Sequence, residues 1–423
     1  MRSYFIKLSI VILATSFLMA PLPLIAAETV KLGCLLPFTG PLALEGKQTW
    51  EGINIAADMQ NDRGGVWGQK IEFVKGDTTT PDSAIAEAER LIKVDGMKLI
   101  IGGYSSSRSM AASEITEKYK TVFWITTAIA DPITERGYIY LYRYNAPSSL
   151  FGVLKAKCTH DVIAPKLGIK PQDLRVAIIH EDTLFGSSTA DIEKPECEKL
   201  GMKVVVKKGY SARAVDLSPL IMTLKAAKPD VVLITGYVND TNLYYRQCKE
   251  QDFNMKAFFG TGAVIGHPEF FDAQGKDANY VFTLAQKPAD PSRLSPEGRK
   301  IHKEALGRFK EKYGLADPGS LHCLGFEAGW NLFHYVLPKA GSLDPEAVRK
   351  ATLELDKPWN DSWMGIGCKF APPGHPKAGQ NLKAQTFGHQ WQNDKLVAVW
   401  PETIAAGEVM LPMPTWDERK KMK

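Results

Sequence analysis

From Val30 onward the chain alternates apolar, β-rich runs with amphipathic stretches, at the spacing of roughly 25 to 35 residues that βαβ units require. Residues 30–36 read as a strand and Pro37 to Gly46 as a loop. Trp50, Ile53, Ala56, Ala57 and Met59 then mark one face of a helix, stopped by Asn61-Asp62-Arg63-Gly64-Gly65. A second strand follows at 70–75, and Thr80-Pro81-Asp82 opens the next helix with a cap, a proline in the first turn and an acid beside it. Strands at 99–101 and 121–125 complete one set. Near 143–148 the pattern restarts, with strands at 175–180, 204–206, 231–235, 257–260 and 281–284. Two such sets imply an α/β fold of two doubly wound parallel-sheet lobes, whose ligands bind beyond the carboxyl ends of the strands.

The first 27 of the 423 residues read as an export signal: Arg2 and Lys7, an apolar stretch from Leu8 to Met19, and a small-residue cleavage site at Ile25-Ala26-Ala27. The formal charge of +5 falls to +3 when Arg2 and Lys7 leave with the signal, which is too balanced for a nucleic-acid protein. The one basic cluster, Arg419-Lys420-Lys421, reads as a solvated end. Six widely spaced cysteines, among them Cys34 inside the first strand, read as buried thiols or structural disulfides.

Enzyme signatures fail one by one. Gly260-Thr261-Gly262 meets its next glycine one residue too late for a dinucleotide loop, and no phosphate-cradling loop occurs. Gly103-Tyr104-Ser105-Ser106-Ser107 misses the hydrolase elbow at its last place, and His322 and His334 have no metal spacing. Neither catalytic residues, metal nor cofactor are expected. The serine run has a simpler use at the end of a strand and the start of a helix, where free N–H groups favour an anion. Ser106 and Ser107 add hydroxyls, and Thr126 and Thr127 end the neighbouring strand, so together they form a neutral carboxylate cradle.

The segments 31–41, Gly64-Gly65-Val66-Trp67-Gly68-Gln69-Lys70-Ile71, Gly76-Asp77, Ile101-Gly102-Gly103-Tyr104-Ser105-Ser106-Ser107 and Thr134-Glu135-Arg136-Gly137-Tyr138 occur in the order and spacing of a known family. With His180-Glu181-Asp182-Thr183-Leu184-Phe185-Gly186 and Thr235-Gly236-Tyr237, the chain resembles the leucine/isoleucine/valine-binding proteins of bacterial ABC importers. The resemblance implies a type I periplasmic binding protein, two lobes joined by a three-stranded hinge with the ligand between them. It divides the chain into signal 1–27, a first lobe of 28–146 with 285–356, a second lobe of 147–284 with 357–400, and a tail of 401–423. Ser106 and Thr127 would hold a ligand carboxylate, Tyr237 would reach it from the second lobe, and Phe185 would stand where the family places a tyrosine.

Departures from the family pattern bear on the ligand. The acid that pairs an amino acid's ammonium falls at Gly262, a first-lobe threonine at Ile129, and the first-loop aromatic at Glu45. Burying an ammonium without a partner costs several kcal/mol. Either Glu45 (less readily Asp240 or Glu181) supplies the charge, or the ligand has no ammonium. Tyr104, Phe185 and Tyr237 are the cleft aromatics, Trp50 reads as core, and Arg108 as a surface cation. If Phe185 and Tyr237 face each other across the ligand, a flat aromatic acid would fit. The expected function is an exported, monomeric solute-binding protein that delivers a small carboxylate, an amino acid or an ammonium-free aromatic acid, to a membrane permease. A periplasmic sensor for a membrane receptor, and a hydrolase using Ser105 or Ser106, are the competing classes.

Overall fold

The computed structural model describes residues 29–261 and 265–422. The export-signal segment 1–27 and Gly262 lie outside the described residues. The first lobe begins β1 Thr29–Leu36, α1 Ala43–Asp62, β2 Lys70–Asp77, α2 Pro81–Lys93, β3 Leu99–Gly102, α3 Ser106–Lys118, β4 Val122–Ile125 and β5 Leu141–Arg143. Its five strands are parallel in the order β2-β1-β3-β4-β5. Thr80 caps α2 by accepting from the Ser83 N–H at 3.1 Å, as its sequence predicts.

The second lobe follows with α4 Ser148–Cys158, α5 Ala164–Lys166, β6 Arg175–Glu181, α6 Leu184–Lys199, β7 Lys203–Tyr210, α7 Ser218–Ala227, β8 Val231–Thr235, α8 Val238–Glu250, β9 Ala257–Gly260, α9 Pro268–Gln274 and β10 Phe282–Ala285. The chain then returns to the first lobe through α10 Pro296–Tyr313, α11 Ser320–Trp330, α12 Leu337–Ala340 and α13 Pro345–Leu353, with the small pair β11 Asp356–Lys357 and β12 Cys368–Lys369. Strands β13 Phe387–Gln392 and β14 Lys395–Trp400 complete a second sheet in the order β14-β13-β10-β9-β8-β6-β7, and α14 Trp416–Lys421 ends the described chain. Strands β7 through β10 with β6 are parallel, whereas β13 and β14 run antiparallel at one edge.

Helices α1 and α11 pack with their backbones in contact. A Cβ on Gly52 would fall 2.1 Å from the His322 carbonyl oxygen, and one on Gly325 would fall 2.2 Å from that of Thr49. Only glycine permits this approach. It draws α11, more than two hundred residues downstream, onto the first lobe.

Two boundaries differ from the sequence reading. Within 357–400, Trp363 and Phe370 lie in the first-lobe core, Trp363 stacked 5.3 Å from Phe309 and Phe370 edge-on to Trp124 at 4.9 Å. This stretch is irregular, so no period marked which core would take its aromatic side chains. The 401–423 tail packs on the second lobe through Met413 and Trp416. Arg419, expected in solvent, is buried and donates to the Tyr245 hydroxyl at 3.0 Å and the Asp277 carbonyl at 2.5 Å. Its guanidinium lies over the rings of Trp416 at 4.8 Å and Tyr280 at 5.8 Å, which attract the cation. All six cysteines are buried free thiols, which leaves the disulfide alternative unused.

The lobes are joined near Asn145, Gln286 and Gln385. Gln286 donates to Asn145 Oδ1 at 3.0 Å and to the Gln385 carbonyl at 3.2 Å, and Gln380 donates to the Asn145 carbonyl at 2.8 Å. Arg143, fully buried at the end of β5, clamps Gln380 Oε1 at 2.6 Å and the Ala130 carbonyl at 2.5 Å. Side-chain amides therefore tie the crossing segments together, beside the main-chain bonds that Arg143 makes to Gly379 and Asn381.

Candidate functional site

A cavity of about 50 Å³ lies between the lobes, lined by residues of both. The first lobe contributes Tyr104, Ser105 and Ser106 from the β3–α3 junction, and Thr127, Ala128 and Ile129 from the loop after β4. Strands β3 and β4 are neighbours, so their carboxyl ends deliver both groups to one place. The second lobe contributes Phe151, Phe185 and Tyr237; the hinge contributes Asn145 and Gln286, and α11 contributes Leu321 and Leu324.

Ser105 stands at φ +67°, a conformation costly for any residue with a Cβ, immediately before α3. Its side chain does not cap the helix. The first N–H groups of α3 therefore stay available to an anion. The Ser106 oxygen accepts from the Ala130 N–H at 3.2 Å, which leaves its own proton to donate.

The rest of the expected cradle is used differently. Thr126 and Thr127 donate their hydroxyl protons to the Gly102 and Gly103 carbonyls, both at 2.9 Å, so neither hydroxyl is left to donate to a carboxylate. Ser107 lies outside the cavity lining and accepts the Leu184 N–H of the second lobe at 3.3 Å. It lies one residue further along α3, facing α6 instead of the cavity.

Glu45 is likewise absent from the lining. It is 1 % exposed near the start of α1, and its Oε1 has no hydrogen-bond partner. Burial pushes its carboxyl up to about 7, with the Glu269 charge acting the same way and the Val238 backbone and Arg108 acting against it. Arg108 is half-buried and donates to the Thr78 carbonyl at 2.6 Å, tying α3 to the end of β2. Trp50 packs on Phe73, with ring centroids 5.1 Å apart, away from the cavity.

Phe185 and Tyr237 do not face each other across a slot. Their ring centroids are 5.3 Å apart and tilted by 42°, side by side on one wall. Strands β6 and β8 pair directly, so the loops that follow them are adjacent. Across the cleft, Tyr104 approaches Tyr237 at 6.2 Å. The Tyr237 hydroxyl is buried beside the Ser105 and Thr183 hydroxyls, and burial, with the Glu181 charge acting the same way, holds its proton on. Asp240, suggested as an ammonium partner, instead accepts from the Tyr237 N–H and the Tyr210 hydroxyl, both at 2.7 Å. Glu181 turns back to the Thr183 and Gly186 N–H groups.

Of the expected residues, the fold gathers Tyr104, Ser106, Thr127, Ile129, Phe185 and Tyr237 around the cavity. Sequence reasoning missed Asn145, Phe151, Gln286, Leu321 and Leu324. Asn145 and Gln286 sit where the strand–helix pattern breaks between sets, a legible signal; Phe151 and the two leucines carried none. Among the described residues no group of His, Cys, Asp or Glu could hold a metal ion, and no helix is long and apolar enough to cross a membrane.

Comparison with known proteins agrees with this architecture. Residues 29–383 match the model of the periplasmic binding protein family. The Leu/Ile/Val-binding protein homolog 7 of Brucella melitensis is 36 % identical over 390 residues, covering 92 % of this chain and 95 % of the relative. Among solved structures, a leucine-binding protein of Thermotoga maritima aligns with a TM-score of 0.74 at 23 % identity, over 88 % of this chain and 98 % of its own. An ABC-transporter solute-binding protein of R. palustris, in complex with 4-hydroxybenzoate, aligns with a TM-score of 0.73 at 20 % identity, over 93 % and 100 %. The chain thus belongs to the periplasmic binding protein family, beside the Leu/Ile/Val-binding protein homologues.

Proposed function

We propose that this chain is exported to the periplasm, binds a small monocarboxylate without an ammonium group between its lobes, and presents it to the permease of an ABC importer. The observation that carries the ligand class is the composition of the cavity wall. No Asp, Glu, Lys, Arg or His side chain lines it among the described residues. Position 262, where the family's acid would stand, is a glycine. An ammonium enclosed there would lose its hydration without a counter-charge, at a cost of several kcal/mol. A carboxylate is better served: the free N–H groups of α3 and the Ser106 hydroxyl receive it, and the Tyr237 hydroxyl, which lines the same cavity, carries a further proton to donate. The remaining wall, Phe151, Phe185, Ile129, Leu321 and Leu324, suits an aromatic or branched apolar body. The relatives' ligands span this choice: one solved neighbour holds isoleucine and two hold 4-hydroxybenzoate or benzoate.

Binding follows from bridging. A solute that touches both lobes is held more tightly by the closed arrangement and shifts the population toward it. Titration of the mature protein with benzoate and with leucine, by calorimetry, tests the ligand class. Benzoate binding with no response to leucine is expected; tight leucine binding with no response to benzoate overturns it.

A further inference from the structure

The second-lobe wall of the cavity is assembled from separate elements: α4 brings Phe151, α6 brings Phe185, and β8 runs into Tyr237, while β9 lies beside β8. All four elements converge on one ammonium. Lys155, one helical turn beyond Phe151 on α4, is fully buried. Its Nζ lies 2.6 Å from Glu193 Oε1 on α6 and donates to the Ile234 carbonyl of β8 at 2.9 Å. It also donates to Thr261 Oγ1, at the end of β9, at 2.5 Å, and stands 3.5 Å from Thr235 Oγ1. The Thr235 and Thr261 hydroxyls bond to each other at 2.8 Å, and the Thr261 N–H donates to the Ile234 carbonyl at 3.0 Å. Glu193 is itself fully buried, and among the described residues its carboxylate oxygens have no hydrogen-bond partner beyond this ion pair.

A buried ion pair is a poor source of stability, because the desolvation of both charges offsets their attraction. Burial weakens the hold of Lys155 on its proton, and the Glu193 charge offsets only part of that. What the ammonium offers is direction. Its three N–H bonds can aim at acceptors on different elements, whereas an apolar side chain fills the same space without fixing orientation. Lys155 does not line the cavity, so it cannot act by touching a ligand.

We propose that Lys155, held by Glu193, is the positioning residue of the second-lobe wall: it fixes the ends of β8 and β9 against α4 and α6, and so sets where Phe151, Phe185 and Tyr237 stand. The effect on affinity rests on the cleft being the solute site; the positioning itself does not.

The test pairs a charge-free variant with two readouts. Lys155→Met with Glu193→Leu removes both charges at similar volume and is expected to keep the wild-type melting temperature. In the ligand-free protein, amide exchange over 233–237 and 257–261 is expected to rise about tenfold, with the rest of the second lobe unchanged. Benzoate affinity is expected to fall tenfold or more. Unchanged exchange in those segments, exchange raised evenly through the lobe, or wild-type benzoate affinity overturns the proposal. Absence of benzoate binding in the wild type refutes the ligand class alone, and the exchange result then decides the role of Lys155. Should the double variant not fold, Glu193→Gln, which keeps an acceptor for Nζ, goes through the same exchange measurement with a smaller increase expected and no increase overturning the role.

Discussion

The side-chain amide of Gln48, on α1 of the first lobe, donates a 2.5 Å hydrogen bond to Glu269, on α9 of the second. Neither residue lines the cavity. The bond runs from one lobe to the other, as do Asn239 donating to the Pro41 carbonyl at 3.2 Å and the Leu184 N–H donating to Ser107. Gln48→Ala is expected to weaken solute affinity by roughly three- to tenfold through loss of a charge-assisted bond. Calorimetric titration checks this, and a wild-type affinity would show that these contacts do not contribute to closure.

Ser106 has two tasks, accepting from the Ala130 N–H and offering its proton to the cavity. Ser106→Ala should therefore cost about 1–2 kcal/mol of stability, from the N–H left unpaired, and at least about tenfold in affinity for a carboxylate. A chemical denaturation curve and a benzoate titration measure the two effects. Full retention of affinity would remove Ser106 from the cradle.

Glu45 holds its proton up to about pH 7 in this structure, against an ordinary 4.5 when solvated. Between those values the folded state carries more protons than the unfolded one, so the Glu45 contribution to stability falls as pH rises through this window. Glu45→Gln removes that dependence. Its stability advantage over the wild type is expected to grow from pH 5 to pH 8, reaching on the order of 1–2 kcal/mol. Urea denaturation at several pH values reads the difference, and a gap that ignores pH counts against the assignment.

The α1–α11 contact predicts a steric failure. A Cβ at Gly325 would lie 2.2 Å from the Thr49 carbonyl oxygen, which is backbone and cannot rotate away. Gly325→Val should destabilise the protein by roughly 3 kcal/mol or more. A thermal melt unchanged from the wild type would contradict this.

Much of the cavity lining was legible because strand ends are legible. The apolar runs at 99–101, 121–125 and 231–235 place Tyr104, Ser106, Thr127 and Tyr237 at carboxyl ends, and in a parallel sheet those ends converge. The directions of the hydroxyls were not legible. Thr127 and Ser107 have the chemistry of carboxylate donors, yet one donates to its neighbour's carbonyl and the other accepts across the cleft.

The sequence by itself determined the two-lobed α/β plan, since hydrophobic period and turn residues are local properties that each segment carries wherever it ends up. Tertiary structure alone decided which core took Trp363 and Phe370, how closely α11 approached α1, and that Lys155, Glu193, Thr235 and Thr261 would meet. Those outcomes depend on distances between residues far apart in the chain, and a one-dimensional pattern encodes the faces of its elements but not their separation.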